Sequence, residues 1–297
     1  MTQSKIALLP DRSIVRVAGE DAEKLLQGII TNDMSLLADQ PAIYAGLLTP
    51  QGKVLFEFFV VRSADGFLLE TGSEQAEDLS NRLGMYKLRA KVTIYVSGAY
   101  RVAAVWGGQP LPAGHHSDPD SLTFLDPRQE PGLGLREVVP LRAAGTNSDP
   151  SGAWLVSAEA YHAHRIALGV PEGGKDYAFG EAFPHEANFD ALSGISFTKG
   201  CFVGQEVVSR TQHRGITRKR IVIVEGEHPL QSGAEVMAGP AAIGQVGSVA
   251  GNRGLALLRL DRAEEAIGKG ERLTAAGREI RMRVPDYLKP AREAAAS

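Results

Sequence analysis

The chain has 297 residues, 43% of them apolar and 23% charged, with 32 Lys and Arg against 35 Asp and Glu for a net charge of −3. That length calls for two or three cores, and the near-neutral balance excludes a whole-molecule field drawing it to nucleic acid or membrane. A single cysteine excludes a disulfide framework and cannot by itself hold an iron–sulfur cluster, which takes about four protein ligands.

The opening stretch KIALLPDRSIVRVAG reads as two short strands broken at Pro10-Asp11. It lacks the basic start and long apolar run of a signal peptide, and no later run approaches about 18 apolar residues. The expectation is a soluble, cytoplasmic protein with no membrane partner. Ala22, Leu25, Leu26 and Ile29 then recur at helical spacing, behind acidic residues that suit a helix N-terminus. Strands follow through residues 44–71, with turns at Pro50-Gln51-Gly52 and Ala64-Asp65-Gly66. A helix through SEQAEDLSNRLGMYKL and a strand at AKVTIYV complete the first group.

From Tyr100 the pattern repeats. YRVAAVWGG, SLTFLDPR, GLGLREVVP and AWLVSA read as strands, and AEAYHAHRIALGV as a helix that Gly169 ends. From Arg218 short glycine-punctuated strands follow one another closely, the pattern of a small β-barrel. The tail LKPAREAAAS offers little to pack and is expected to fray. The fold class is α+β, with domains at 1–98, 99–215 and 216–290.

The lone thiol, Cys201, lies in FTKGCFVGQEVVSR. Lys199 would lower its pKa if the intervening backbone were extended, and Gly200 and Gly204 would let the chain turn beside it. An isolated cysteine is equally at home as a small buried apolar group, and the pattern leaves both readings open. His162 and His164 diverge on their helix and His115-His116 sits in a Gly/Pro loop, so no metal set is expected. The stretch from Arg210 through Arg214 to Arg220 is the most basic of the chain. It suits phosphates, the carboxylates of a ligand tail, or simply solvent. Glu186, among Phe183, Phe189 and Phe197, suits the N–H groups of a flat heterocycle, whereas Thr31, Asn32 and Asp33 suit a helix end.

The run KGCFVGQEVVSR resembles the motif of the YgfZ proteins and their mitochondrial iron–sulfur assembly relatives, K-G-C-[FY]-x-G-Q-E-x3-[KR]. Lys199, Gly200, Cys201, Phe202, Gly204, Gln205, Glu206 and Arg210 all match. LLQGIITNDM, LLTPQGKVLFEF, YKLRAKV, FPHEANFDALSGISFTKG and ALLRLDRA extend the likeness over about residues 5–285. That family is related to the T-protein aminomethyltransferase of the glycine cleavage system. The resemblance implies three domains around a folate-binding opening, with tetrahydrofolate as ligand. It also implies a part in assembling or repairing iron–sulfur clusters, including those of tRNA-modifying enzymes. Partners would be iron–sulfur proteins or assembly factors, with a weak tRNA contact.

Under this resemblance Glu186 matches the residue that holds the pterin. Asn32 and Asp33 are expected to line the same cavity, and Arg214 to meet the ligand's glutamate tail. Cys201, tuned by Lys199, would be the reactive group. One departure counts against the alternative, a folate-dependent aminomethyltransferase or other one-carbon transferase. Leu55 and Phe56 stand where the transferases carry a catalytic aspartate, and alternation turns the adjacent Glu57 to the opposite face from Phe56.

Overall fold

The computed structural model describes residues 3–108, 120–130, 132–141, 153–215 and 217–289, and of Arg214 the backbone alone. His115, His116 and the C-terminal tail from residue 290 lie outside the described residues. The chain divides into two compact units. The first comprises Met1–Leu47, Phe56–Tyr161 and Ser193–Val203, and the second Leu48–Leu55, His162–Leu192 and Gly204–Ser297.

The first unit is built on two five-stranded sheets. One has the order β3 (Ala42–Leu48), β4 (Val54–Ser63), β5 (Gly66–Gly72), β2 (Arg12–Ala18), β6 (Thr93–Ser97). The other has the order β10 (Trp154–Val156), β1 (Lys5–Leu8), β7 (Tyr100–Trp106), β9 (Leu135–Pro140), β8 (Leu122–Leu125). The break at Pro10-Asp11 therefore separates two sheets. Strand β1 runs antiparallel to β7 and parallel to β10, while β2 pairs with β5 and β6. Helix α1 (Ala22–Ile29) buries Ala22, Leu26 and Ile29, and α2 (Ala76–Lys87) buries Ala76, Leu79 and Leu83, the stripes expected of amphipathic helices.

This unit also holds charge in its interior. The carboxylate of Glu70 receives Arg12 at 2.9 Å and Arg136 at 3.0 Å, while Asp126 receives Arg128 at 2.7 Å and Arg136 at 3.3 Å. Arg136 also donates to the Tyr161 hydroxyl at 2.5 Å. All five charged groups are nearly out of reach of solvent. Burial pushes the Asp126 carboxyl up, but Arg128 and Arg136 together outweigh it and hold the group below the usual carboxylate range.

The second unit carries a closed barrel in the order β11 (Lys219–Gly226), β14 (Arg253–Arg259), β13 (Ala241–Ala250), β12 (Glu235–Ala238), β15 (Leu273–Ala275), β16 (Arg278–Arg283), with β16 returning to β11. Val222, Val224, Val236, Ile243, Val246, Leu258 and Ile280 fill it. The other face of β11 is buried as well, at Ile221 and Ile223, so the strand reads as an unbroken apolar run. Helix α3 (Ala158–Leu168) contributes Arg165, whose guanidinium donates to Asp176 at 2.7 Å and to Ser248 of β13 at 2.7 Å. Sequence periodicity did not reveal α4 (Gln205–Arg214) or α5 (Leu260–Gly268). The second could have been found from Leu260, Ala263 and Ala266, which recur every three residues and pack into the barrel core.

Candidate functional site

The cysteine segment is irregular chain, not a strand, and its side chains part ways. Cys201 is exposed, whereas Lys199 and Phe202 are buried. The Lys199 ammonium donates to the carbonyls of Gln27, Ile30 and Asn32, each at 2.8 Å, and lies 5.4 Å from the Phe202 ring centre. These carbonyls belong to the end of α1 and the turn after it, where a helix leaves its last C=O groups without partners. An ammonium has three N–H bonds, and here all three are used, so none remains for a thiolate. Burial pushes this lysine down to about 8, with Asp33 opposing.

The same turn is laced to the cysteine segment from its other side. Thr31 donates its hydroxyl to the Gly194 carbonyl at 2.6 Å, and Asn32 donates its amide to Ser193 and Tyr44 carbonyls, both at 2.8 Å. The remaining Asn32 oxygen accepts the Asp33 N–H at 2.9 Å. Asp33 accepts from Gln27 and from the N–H and hydroxyl of Ser35. The Ser35 N–H, against some burial, holds its carboxyl below the ordinary range. Asn32 and Asp33 thus use their hydrogen-bonding capacity on the chain itself, and Asn32 helps to position the loop that bears the thiol.

The rest of the motif is structural in a readable way. Gly204 sits at φ +81°, and a Cβ there would stand 2.6 Å from the Thr49 carbonyl and 3.0 Å from Gly52 Cα. Glycine is required by both backbone and space. Gly200 is exposed with open space around it. Gln205 opens α4, and Glu206 and Arg210 form an exposed i,i+4 ion pair at 2.7 Å on that helix. The Arg214 side chain lies outside the described residues.

Glu186 lies in the second unit, on the wall of two hollows of about 880 and about 530 Å³. Lys219 and Arg259 also border both. Lys53 lines the larger, and Phe183, His185 and Arg218 the smaller. One Glu186 oxygen accepts the Phe183 N–H at 2.9 Å, which fixes the carboxylate against the turn it closes. Arg220 holds the same segment through Asp190, at 2.5 and 2.7 Å, and the His185 carbonyl at 2.7 Å. Burial pushes the His185 imidazole down. Lys53 lies 5.7 Å over the Phe183 ring. Arg259 is committed to Asp261 through two bonds, at 2.9 and 2.7 Å. Lys53 and Lys219 border the site; Lys219 falls in the basic stretch that the sequence marks for a ligand's carboxylates, whereas Lys53 stands in no run that marks chemistry.

Leu55 and Phe56 follow Val54 at the start of β4, with Phe56 buried. Glu57, next along, is buried and accepts the Tyr44 hydroxyl at 2.6 Å. The carboxylate that follows the replaced position in sequence is therefore held by a tyrosine.

Comparison with known proteins decides the family. The human iron–sulfur cluster assembly factor IBA57, mitochondrial, is 35% identical over 274 residues, 84% of this chain and 76% of that protein. This chain belongs to the IBA57 family. The homologue of Chaetomium globosum is 32% identical over 90% of this chain and 74% of its own. That of Mycosarcoma maydis is 37% identical over 73% of this chain, which spans only 56% of that longer relative. Residues 218–290 match the CAF17 C-terminal beta-barrel domain, in agreement with the closed barrel. The crystal structure of the glycine cleavage system aminomethyltransferase T from Bartonella henselae superposes with a TM-score of 0.75 at 17% identity, over 95% of this chain and 85% of that one. The fold is thus that of the T-protein, as the sequence implied. These IBA57 relatives are named as mitochondrial, where the sequence alone reads as cytoplasmic. Among the described residues no helix is long and apolar enough to cross a membrane.

Proposed function

We propose that this chain is a reduced-folate-binding iron–sulfur cluster assembly factor, with Glu186 holding the pterin and Cys201 acting as its chemical group. The observation that carries the folate reading is the donor set around Glu186. One carboxylate oxygen is fixed by the Phe183 N–H, which leaves the other available to the N–H edge of a pterin. Lys53 and Lys219, without ion-pair partners among the described residues, offer ammonium groups to a carboxylate tail. Both hollows exceed the size of a typical small-ligand site's lower bound, about 300 Å³. When bound, a reduced folate would supply a one-carbon carrier or a redox-active ring; the residues here bind and orient it.

Cys201 is exposed and is the chain's only thiol. A single thiolate offers one of the about four ligands a cluster needs, so cluster contact must be shared with a partner protein. Such partners would be iron–sulfur proteins or assembly factors, the clusters of tRNA-modifying enzymes among them. Aminomethyl transfer is the weaker reading, because Glu57, next in sequence to the replaced aspartate, already binds Tyr44.

Calorimetric titration with tetrahydrofolate tests the pocket. Glu186→Ala is expected to lose about 10- to 100-fold in affinity, the worth of a hydrogen bond to a charged group, while Cys201→Ala keeps wild-type affinity. Equal binding by Glu186→Ala and wild type would remove Glu186 from the site. In cells, Cys201→Ala should lower the activity of cluster-dependent enzymes.

A further inference from the structure

Helix α2 ends in a turn that costs the fold something. The Ala90 N–H donates to the Lys87 carbonyl at 2.8 Å, closing a four-residue turn with Leu88 and Arg89 at its centre. Leu88 has φ 47° and ψ −108°, the first central position of a type II′ turn, where glycine is the usual residue because a Cβ is crowded. Burial does not compensate, since Leu88 is 88% exposed. Met85, one turn earlier, is 67% exposed. Arg82, Lys87 and Arg89 on the same stretch have no ion-pair partner among the described residues, while Lys91 pairs with Glu20.

We propose that Leu88 and Met85 are the apolar anchor of a docking site for a partner protein that surrounds an apolar recess with acidic residues. Strained backbone persists where its geometry serves contact, and here it lifts one apolar side chain clear of the surface. The three free cations set the partner's charge. A second copy of this chain would meet the patch with the same three cations, so like charges oppose self-association. An anionic bilayer fits less well, because two apolar side chains make a small footprint for insertion. A contact of this size works as a hot spot, with few residues carrying most of the affinity. The site is independent of the folate reading and stands or falls without it.

The test uses the full chain and a phage-displayed library of random dodecapeptides selected on the wild type. Enriched peptides are expected to carry Asp or Glu around Leu, Ile, Phe or Met, and to bind Leu88→Gly and Arg89→Glu about tenfold more weakly. Neutral or basic peptides, no enrichment, or equal binding by the variants would overturn the proposal. Phosphatidylserine vesicles should bind neither form. Sedimentation of the wild type but not of Leu88→Gly would reassign the patch to lipid and reject the acidic protein. Leu88→Gly should also melt about 2 °C higher, since glycine suits the turn; a lower melting temperature would remove the premise of strain.

Discussion

Lys199 shows how one side chain can shape a thiol's surroundings without touching the thiol. Its ammonium gathers carbonyls of Gln27, Ile30 and Asn32, and so ties the loop of Cys201 to the end of α1. Substitution by Met keeps the stem and leaves those buried acceptors without a donor. The expected loss is about 3 kcal/mol, read by denaturant unfolding, because stranded polar groups cost more than a formed bond contributes. Its pKa, about 8 against an ordinary 10.5, carries a definite sign. Between those values the unfolded chain binds more protons than the folded one, so this group makes stability rise as pH climbs from about 8 to 10.5. Lys199→Met should flatten that part of the stability–pH curve. A curve identical to wild type would contradict the burial argument.

Among the elements, the packing of the Thr49–Gly52 turn on the start of α4 depends on two glycines facing one another. Gly52 would place a Cβ 2.7 Å from that of Val207, as Gly204 would against Thr49 and Gly52. Gly204→Ala therefore meets both a positive φ and a backbone carbonyl, with no flexible side chain to give way. We expect about 3 kcal/mol or more of destabilisation by chemical denaturation. Gly200→Ala, in open space, should be near neutral and serves as the control. The motif's second half carries no helix signal of its own, because QEVVSR has too few apolar positions to declare one; its two adjacent valines suit a strand as well. In the fold Gly204 turns the chain into the helix, Val208 is buried, and the exposed Glu206–Arg210 pair, one helical turn apart, adds a few tenths of a kcal/mol at most.

At the scale of the molecule, the first unit keeps ions in its interior. Asp126 neutralises Arg128 and Arg136, and Glu70 receives Arg136 and Arg12. Such groups are held by their partners rather than by water, so removing one strands the others. Asp126→Asn is expected to cost about 3–5 kcal/mol, measured by thermal or denaturant melting. The Asp126 carboxyl lies below its ordinary value, and its contribution is therefore present above the unfolded pKa and lost as pH falls through the folded one. Acid titration should melt the wild type below about pH 4. Asp126→Asn, already without that carboxylate, should show a shallower acid limb.

Periodicity and punctuation belong to the local chain, and these the sequence determined by itself. The stripes of α1, α2 and α3, the short strands of the barrel and the turns at Gly52 and Asp65-Gly66 follow from side chains a few residues apart. The kinship with mitochondrial iron–sulfur assembly factors was legible too, though not the finer YgfZ assignment, because seven motif residues crowd around one rare cysteine. Only the folded chain decided that β1 would pair with β7 and β10 rather than join β2, since strand partners are chosen among residues far apart in sequence. It alone brought Lys53 and Lys219 to the hollow of Glu186, and sent Lys199 inward to carbonyls 167 to 172 positions away while Cys201 faced solvent. A side chain's direction depends on which distant groups need a hydrogen bond, and spacing along a chain does not carry that information.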